Sequence, residues 1–310
     1  RSHGRTTKIL RSHLKSALVT LRPSQHWPRG RIERLTHRSQ VLESNPWNDP
    51  VEREVAVYLP AGYSEDGAPY VGLWDLAAYT NSGPGHLNRR NHGENLPERH
   101  DRLIGSGEMD PAVVVIPDCY TSLGGNQYVN SPSVGRYADY LADELVPFIE
   151  QNVNVVPHED GRGLFGKSSG GYGALYLAMT RPGTWSAVAS HAGDVGFDLL
   201  FKGAFPAVAQ SLAPLDGDAN AFIRSFWRKN RPSGRDFTVM MVLAMAASYD
   251  PDRDDPAHIR LPFDLRTCAI DPMRWACWES FDPLALVEVH ADALKRLRGL
   301  YIDVGIYDQY

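Results

Sequence analysis

The sequence predicts an α/β domain around a mostly parallel sheet, because short apolar runs alternate along the chain with segments of helical periodicity. That alternation is typical of parallel strands whose helices cover both faces of the sheet. Continuous apolar runs, such as residues 112–117, are typical of central strands that are buried on both faces. We therefore expect strands at residues 39–43, 54–59, 70–75, 112–117, 163–166, 186–191 and 300–304.

Apolar stripes and helix breakers predict the helices between these strands. Residues 137–151 carry an apolar stripe along one face, and Pro147 is expected to kink or end the last turn. Residues 171–180 end at an Arg-Pro-Gly breaker, and residues 286–296 form a further amphipathic helix.

A long insertion interrupts the alternation at residues 195–282. It lies between two late strands and contains apolar helical stretches at residues 201–212 and 239–248. We expect this insertion to form a cap over the carboxyl edge of the sheet.

The composition is that of an ordinary globular protein. The 310 residues suffice for one large α/β domain, and the formal net charge of -5 gives no sign of nucleic-acid binding. Three cysteines fit neither a disulfide framework nor a zinc site, and no apolar run approaches the roughly 20 residues of a membrane helix. We expect a cytoplasmic protein with no metal, no cofactor and no membrane or nucleic-acid partner.

The first 30 residues differ in charge from the rest of the chain. They hold seven lysines and arginines but no aspartate or glutamate. Such a stretch is typical of a solvated, flexible lead-in, and an organelle-targeting segment is the alternative. We therefore place the folded domain at residues 31–310.

Residues 166–170 read Gly-Lys-Ser-Ser-Gly, between an apolar strand and a helix rich in small residues. The pattern Gly-x-Ser-x-Gly is typical of a nucleophile elbow, a sharp strand-to-helix turn that lifts a serine hydroxyl clear of the sheet. Glycines at both ends avoid clashes where the helix approaches the neighbouring strands. Ser168 is the candidate nucleophile, and the free N–H groups at the helix start favour negative charge beside it.

The same region also fits the P-loop pattern, since residues 161–168 read Gly-Arg-Gly-Leu-Phe-Gly-Lys-Ser. A P-loop needs a buried strand that ends at Gly161 and an open loop over residues 162–165. Here a polar turn precedes Gly161, and Leu164 and Phe165 are typical strand residues, so the elbow is the favoured interpretation. A structural glycine-rich packing turn is the third alternative.

Four segments carry a resemblance to a known family. They are residues 55–63, an early strand and turn; residues 165–175, around the elbow; residues 190–194; and residues 300–308. In this order they resemble the putative-esterase family of α/β-hydrolases, the branch with esterase D and enterochelin-esterase-like proteins. The resemblance covers residues 30–310 and implies an α/β-hydrolase fold.

The resemblance also implies a catalytic triad in the chain order serine, acid, histidine. Asp308 lies just beyond the last predicted strand, where the triad acid belongs, and Asp303 within that strand is the competing candidate. No histidine follows Asp308 in this sequence. We expect the natural protein to continue past Tyr310 and to supply the histidine there, with the last strand and helix of the fold.

The remaining site residues follow from the elbow. Acyl transfer needs an oxyanion hole of two backbone N–H donors, which we assign to Ser169 and to either Leu76 or Ala77. Asp194 and His191 are candidates for substrate contact, with a structural cap as the alternative for Asp194.

A polar loop over residues 86–100 holds three histidines and two glutamates. These are metal-ligand types, but their spacing fits no compact site, so the rim of the pocket is the favoured interpretation.

The reaction implied by the resemblance is hydrolysis of a small-molecule carboxylic ester through an acyl-enzyme on Ser168, without a cofactor. An acyltransferase on the same scaffold is one alternative. The other is a catalytically inactive hydrolase-fold binding protein, because the triad histidine is absent from this chain.

Overall fold

The computed structural model describes residues 26–308, and its strands alternate with helices as expected. Numbered in chain order, the strands are β1 (Arg31–Arg38), β2 (Glu52–Leu59), β3 (Val71–Leu76), β4 (Ala112–Pro117), β5 (Asn130–Ser131), β6 (Gly135–Arg136), β7 (Arg162–Lys167), β8 (Ala187–His191) and β9 (Gly299–Asp303).

Seven of these strands form one sheet in the order β1-β2-β4-β3-β7-β8-β9. Strand β1 is antiparallel to β2, and β2 is antiparallel to β4. The strands from β4 to β9 in that order are parallel to one another. The sheet is therefore mostly parallel, with an antiparallel edge, and β5 and β6 form a separate two-stranded ribbon.

Alternate residues of the central strands belong to two different cores. In β4, Val113 and Val115 belong to the large core, whereas Val114 and Ile116 belong to a small core on the other face. Because side chains alternate between the two faces of a strand and both faces of β4 are buried, every residue of β4 is apolar.

The helices cover these two faces unequally. They are α1 (Leu96–Gly105), α2 (Tyr137–Asp139), α3 (Val146–Asn152), α4 (Ser169–Thr180), α5 (Phe197–Phe201), α6 (Phe205–Leu212), α7 (Ala219–Arg228), α8 (Gly234–Tyr249), α9 (Pro272–Glu279) and α10 (Pro283–Lys295). Helix α4 packs on β3, β7 and β8, and α10 packs on α4, on the side of the large core. Helix α1 contributes Leu96 and Ile104 to the small core.

The helical segment that begins at Tyr137 is interrupted before Pro147. Residues Tyr140–Leu145 form a π-helical stretch between α2 and α3, and Pro147 lies in the first turn of α3. Proline has no N–H to donate to the carbonyl four residues earlier, so the α-helical hydrogen-bond pattern is interrupted there. The wider π-helical turns directly before Pro147 follow from this interruption. The sequence predicted a kink or an end at Pro147; the structure places the interruption just before Pro147, and the helix continues to Asn152.

The insertion after β8 shares the large core with the sheet. Phe197, Phe205, Tyr249 and Trp278 are buried, and their rings contact one another or neighbouring aromatic rings. At the carboxyl edge of the sheet, the Ser131 hydroxyl donates to the Ala247 carbonyl of α8 at 2.6 Å. The insertion is therefore packed onto the strand-end loops as well as onto its own helices.

The prediction of a strand at residues 39–43 is wrong. These residues form a turn, in which the Ser39 hydroxyl accepts the Leu42 N–H at 3.1 Å, and the strand is the preceding segment Arg31–Arg38. Strand β1 lies at the edge of the sheet and contains three arginines, one glutamate and one histidine among its eight residues. Its charged side chains obscure the alternation that marks a half-buried strand.

The start of the folded domain lies before residue 31. The Gly30 N–H donates to the Asp101 carboxylate at 2.8 Å, and the Trp27 ring lies against Gly105 in α1. Residues 1–25 of the predicted flexible lead-in lie outside the described residues. Within residues 26–308, no helix combines the length and the apolar character that crossing a membrane requires.

We predict that Gly170→Ala lowers the free energy of unfolding by about 1–3 kcal/mol, the usual cost of forcing atoms into a packed site. A Cβ atom at Gly170 would lie 2.0 Å from the Leu76 carbonyl oxygen, so the backbone would have to move. Denaturant unfolding measures the change. The matched control is Gly203→Ala, because a Cβ there meets no atom within 4 Å. Equal stability of the two variants would contradict the prediction.

Candidate active site

Ser168 lies at the sharp turn between β7 and α4. Its backbone has φ 54° and ψ -124°, a conformation that L-residues rarely adopt and that costs of order 1–3 kcal/mol. Two backbone hydrogen bonds hold it there: the Ser168 N–H donates to the His191 carbonyl at 2.9 Å, and the Tyr172 N–H donates to the Ser168 carbonyl at 2.8 Å. The structure thus forms the strained strand-to-helix turn that the sequence pattern predicts.

Two glycines make this turn possible. A Cβ atom at Gly166 would lie 2.4 Å from the backbone of Gly170, and one at Gly170 would lie 2.0 Å from the Leu76 carbonyl oxygen. Helix α4 therefore approaches β7 and β3 more closely than any side chain at these two positions would allow.

The P-loop alternative is excluded by the same geometry. Residues 162–165 lie in β7, paired with β3 and β8, and Gly161 closes a short 3₁₀ turn before the strand. A P-loop would need these residues in an open loop around a phosphate.

The predicted oxyanion donors lie on both sides of the elbow. Ser169 is the first residue of α4, so its N–H has no partner within the helix. Leu76 is the last residue of β3, in register with Gly166, whereas Ala77 follows the strand. The Ala77 carbonyl accepts a hydrogen bond of 2.6 Å from the buried hydroxyl of Tyr128, which fixes this part of the loop.

Asp194 lies beside the candidate nucleophile. Its carboxylate accepts the Ser168 hydroxyl at 3.4 Å and the Ser169 hydroxyl at 3.3 Å. Gln127 donates its amide to the Ser169 hydroxyl at 2.6 Å, and the Tyr249 hydroxyl donates to the Gln127 amide oxygen at 3.0 Å. A polar chain therefore runs from the end of α8 to the elbow.

The environment of Asp194 favours its protonated form more than water does. Loss of solvation on burial raises the pKa of Asp194 to about 6, and the charge of Asp308 adds to the rise. Hydrogen bonds from Ser169 and Ser168 oppose it. Asp194 is thus ionised at neutral pH and becomes protonated in mildly acidic solution.

A cleft of about 540 Å³ opens next to the elbow, between the carboxyl ends of the strands and the segment that leads into α1. His191 and Asp303 line it as a hydrogen-bonded pair, with Nδ1 and Oδ1 2.6 Å apart, and the Tyr301 hydroxyl donates to the same carboxylate at 3.2 Å. Further lining residues come from the strand ends and from the polar loop predicted at the pocket rim: Asp75, His86, Arg90, Glu94, Arg99, Lys167 and Asp308.

A second histidine–aspartate pair lies deeper in the cleft. His86 Nδ1 is hydrogen-bonded to the buried carboxylate of Asp75. Burial disfavours the imidazolium, but the hydrogen bond and charge of Asp75 outweigh it, so the pKa of His86 lies above its ordinary value. The cleft therefore contains two imidazoles that are each oriented by a carboxylate.

Asp308 follows β9 and lines the cleft, and its charge acts on Asp194. Its backbone N–H donates to the Gly305 carbonyl at 2.9 Å, which closes a turn after the strand. Among the described residues, no histidine side chain is hydrogen-bonded to Ser168. The structure thus brings Ser168, Ser169, Ala77, Asp194 and Asp308 to one edge of the sheet, with His191 in the adjoining cleft.

Three contributors to this site were missed by sequence reasoning. Tyr128, Gln127 and Tyr249 are buried and act through hydrogen bonds to residues more than 40 positions away in the chain. A buried polar side chain needs a partner, but the sequence does not show which partner. No local motif surrounds any of the three.

Comparison with known proteins identifies the family of this chain. A family model described as putative esterase matches residues 50–309. The uncharacterized protein YbbA of Bacillus subtilis is 27% identical over 156 residues, which are 47% of this chain and 58% of the length of that relative. This chain therefore spans less than two thirds of that relative.

Two solved structures from Staphylococcus aureus share the fold. The fluorophosphonate-binding serine hydrolase FphF superposes with a TM-score of 0.52 at 14% identity, over 91% of this chain and 81% of that one. The S-formylglutathione hydrolase FrmB superposes with a TM-score of 0.50 at 13% identity, over 90% of this chain and 81% of that one. With the α/β-hydrolase sheet, the elbow and the family match in place, this chain belongs to the putative esterase family.

Proposed function

We propose that this protein hydrolyses small-molecule carboxylic esters through an acyl-enzyme on Ser168. The observation that carries the proposal is the strained backbone of Ser168, with φ 54° and ψ -124°, between β7 and α4. Strain of this kind persists where the surrounding structure enforces it, and it clusters at active sites. The membership of the putative esterase family supports the same reaction class.

In the proposed reaction, the Ser168 oxygen attacks the ester carbonyl carbon, and the negative charge moves to the carbonyl oxygen. The N–H groups of Ser169 and Ala77 would donate to that oxyanion, and Leu76 is the less suitable second donor because it lies within the strand ladder. The positive end of α4 adds to the stabilisation. Water then releases the acid from the acyl-enzyme.

The cleft beside the elbow is the proposed binding site for the rest of the ester. Its volume of about 540 Å³ falls within the range typical of small-molecule sites. His191, oriented by Asp303, is the proposed polar contact to the substrate within this cleft.

Asp308 remains the proposed triad acid. It lies after the last strand and close enough to Asp194 for the two charges to interact. Its proposed role is to orient a histidine and to stabilise the imidazolium that forms during acyl transfer.

We predict that Ser168→Ala lowers the hydrolysis of p-nitrophenyl acetate at least about 1,000-fold, because the acyl-enzyme can no longer form. Intact-mass labelling with a fluorophosphonate probe should disappear in the same variant. Ser280→Ala is the matched control, since Ser280 is an exposed serine at the end of α9. Unchanged labelling and hydrolysis in Ser168→Ala would rule out Ser168 as the nucleophile.

We predict that Tyr128→Phe lowers kcat about tenfold with little change in KM, because the Ala77 loop loses the hydrogen bond that fixes it. The expected loss is smaller than the roughly 100- to 1,000-fold loss that follows removal of an oxyanion donor. Steady-state kinetics on p-nitrophenyl acetate measures the effect.

The control for that prediction is Tyr58→Phe, which loses a buried hydroxyl contact of 2.8 Å to Asp101 on the other side of the sheet. Both variants should lose about 1 kcal/mol of stability. If both also lost the same fraction of kcat, the effect of Tyr128 would be a general loss of stability and not a loss of loop alignment.

A further inference from the structure

The cleft beside the elbow has two ends that differ in charge. The sheet order places β7 next to β3 and two strands away from β9. Helix α1 packs on the β3 and β7 side, because Leu96 shares the small core with Leu73 and Phe165. The segment that leads into α1 therefore lines one end of the cleft, whereas Asp303 and Asp308 line the other end, beside and after β9.

Three cations line the end of the cleft next to α1. Arg90 and Arg99 come from the α1 segment, and Lys167 is the last residue of β7. In the part of the chain that the structure describes, no ion pair or side-chain hydrogen bond engages any of the three. We call these three residues the cationic end of the cleft.

The carboxylates that share the cleft with these cations have partners of their own. The buried carboxylate of Asp75 is hydrogen-bonded to His86, and Glu94 is ion-paired with Arg102 at 3.0 Å. Asp303 is hydrogen-bonded to the histidine at the end of β8. These carboxylates therefore leave the positive charge of the cationic end without a matching anion.

The ionisation of His86 reflects this positive charge. Burial and the charge of Arg90 disfavour the imidazolium, whereas Asp75 favours it and raises the pKa of His86 above its ordinary value. The positive charges of Arg90 and His86 thus act on each other across the cleft wall. An anion placed between them would turn this repulsion into two attractions.

The segment that carries the two arginines is fixed by its own hydrogen bonds. The Asn95 amide donates to the Leu87 carbonyl at 3.0 Å, which closes the loop that contains Arg90. The Glu98 N–H donates to the Asn95 side chain at 3.0 Å, and Arg99 follows in the first turn of α1. A binding segment that is ordered before the ligand arrives loses less entropy when the ligand binds.

From this arrangement we infer that the cationic end binds an anionic group of the substrate, so that the esters hydrolysed by this protein carry a carboxylate or a phosphate. The inference rests on the proposed function of Ser168 and names the substrate class within it. Guanidinium groups bind the oxygen atoms of both anions through paired hydrogen bonds.

The dimensions of the cleft allow one molecule to reach both places. The cleft has a volume of about 540 Å³ and extends to Gly166 and Ala192 beside the elbow. A small ester can therefore place its anionic group at the cationic end and its carbonyl carbon near Ser168. Clefts that concentrate one sign of charge also attract ligands of the opposite sign and raise their association rate.

The first test measures binding without turnover, in the 310-residue chain that carries Ser168→Ala. Monomethyl succinate is compared with methyl levulinate, an ester of the same length in which a neutral acetyl group replaces the carboxylate. In a ligand-observed NMR titration, monomethyl succinate should bind about tenfold more tightly, because hydrogen bonds to charged groups are the stronger ones. An increase in salt from about 0.05 to 0.5 M should remove most of this difference, since exposed charges are screened.

Substitution of the cations locates the site. In the same chain, the double variant Arg90→Gln, Arg99→Gln should weaken the binding of monomethyl succinate about fivefold to tenfold and bring it close to that of methyl levulinate. Lys167→Gln should change the binding in the same direction. Arg89→Gln is the matched control, because Arg89 is an exposed neighbour that does not line the cleft, and it should leave the binding of both esters unchanged.

Competition distinguishes the two kinds of anion. Acetate and inorganic phosphate are each titrated against bound monomethyl succinate. Displacement at a lower concentration of phosphate would assign phosphate-bearing esters, and displacement at a lower concentration of acetate would assign carboxylate-bearing esters. If neither anion displaced monomethyl succinate, the inference would be contradicted.

Hydrolysis by the chain with Ser168 intact separates this inference from the proposed function. The kcat/KM for p-nitrophenyl hemisuccinate should exceed that for p-nitrophenyl levulinate about tenfold, and this ratio should fall in the double arginine variant. Hydrolysis of both esters at equal kcat/KM, with equal binding of the two methyl esters, would overturn the inference and leave the proposed function in place. Tighter binding of monomethyl succinate without hydrolysis of either p-nitrophenyl ester would overturn the proposed function and leave the cationic end as a binding site for anions.

Discussion

The close approach of helix α4 to the sheet is the constraint on which the site depends. Gly166 and Gly170 bring the helix so near to β3 that the chain must turn sharply at Ser168. The same turn places the serine hydroxyl above the sheet, leaves the Ser169 N–H without a helical partner and sets both beside the Ala77 loop. Backbone strain at one residue therefore brings together the proposed nucleophile and its proposed oxyanion donors.

Packing of the insertion connects it to the strained turn through a chain of polar side chains. Helix α8 belongs to the same apolar core as the sheet, and its last residue, Tyr249, begins the polar chain that reaches Asp194 through Gln127. Polar side chains inside a core are costly unless each is paired, so this chain holds its members in one arrangement. The insertion thus contributes to stability and to the orientation of groups around Ser168.

The pairing of parallel strands explains why charged groups collect in the cleft. Parallel strands end at the same edge of the sheet. Because side chains alternate between the two faces of a strand, Asp75, Lys167, His191 and Asp303 all lie on one face at that edge. Helix α1 packs on this face through the small core, and its first turn lines the cleft. Two carboxylates then orient the two imidazoles, His191 and His86, that line this cleft.

Local patterns in the sequence determined the strand positions, the elbow and Ser168, because hydrophobic period and glycine spacing act within a few residues. They failed at the charged edge strand β1, and they could not specify the π-helical turns before Pro147. Tertiary structure alone decided that Asp194 contacts Ser168 and that Tyr249 supports it, 81 positions along the chain from Ser168. Hydrogen bonds between distant residues depend on how the elements pack, and packing leaves no periodic mark in the sequence.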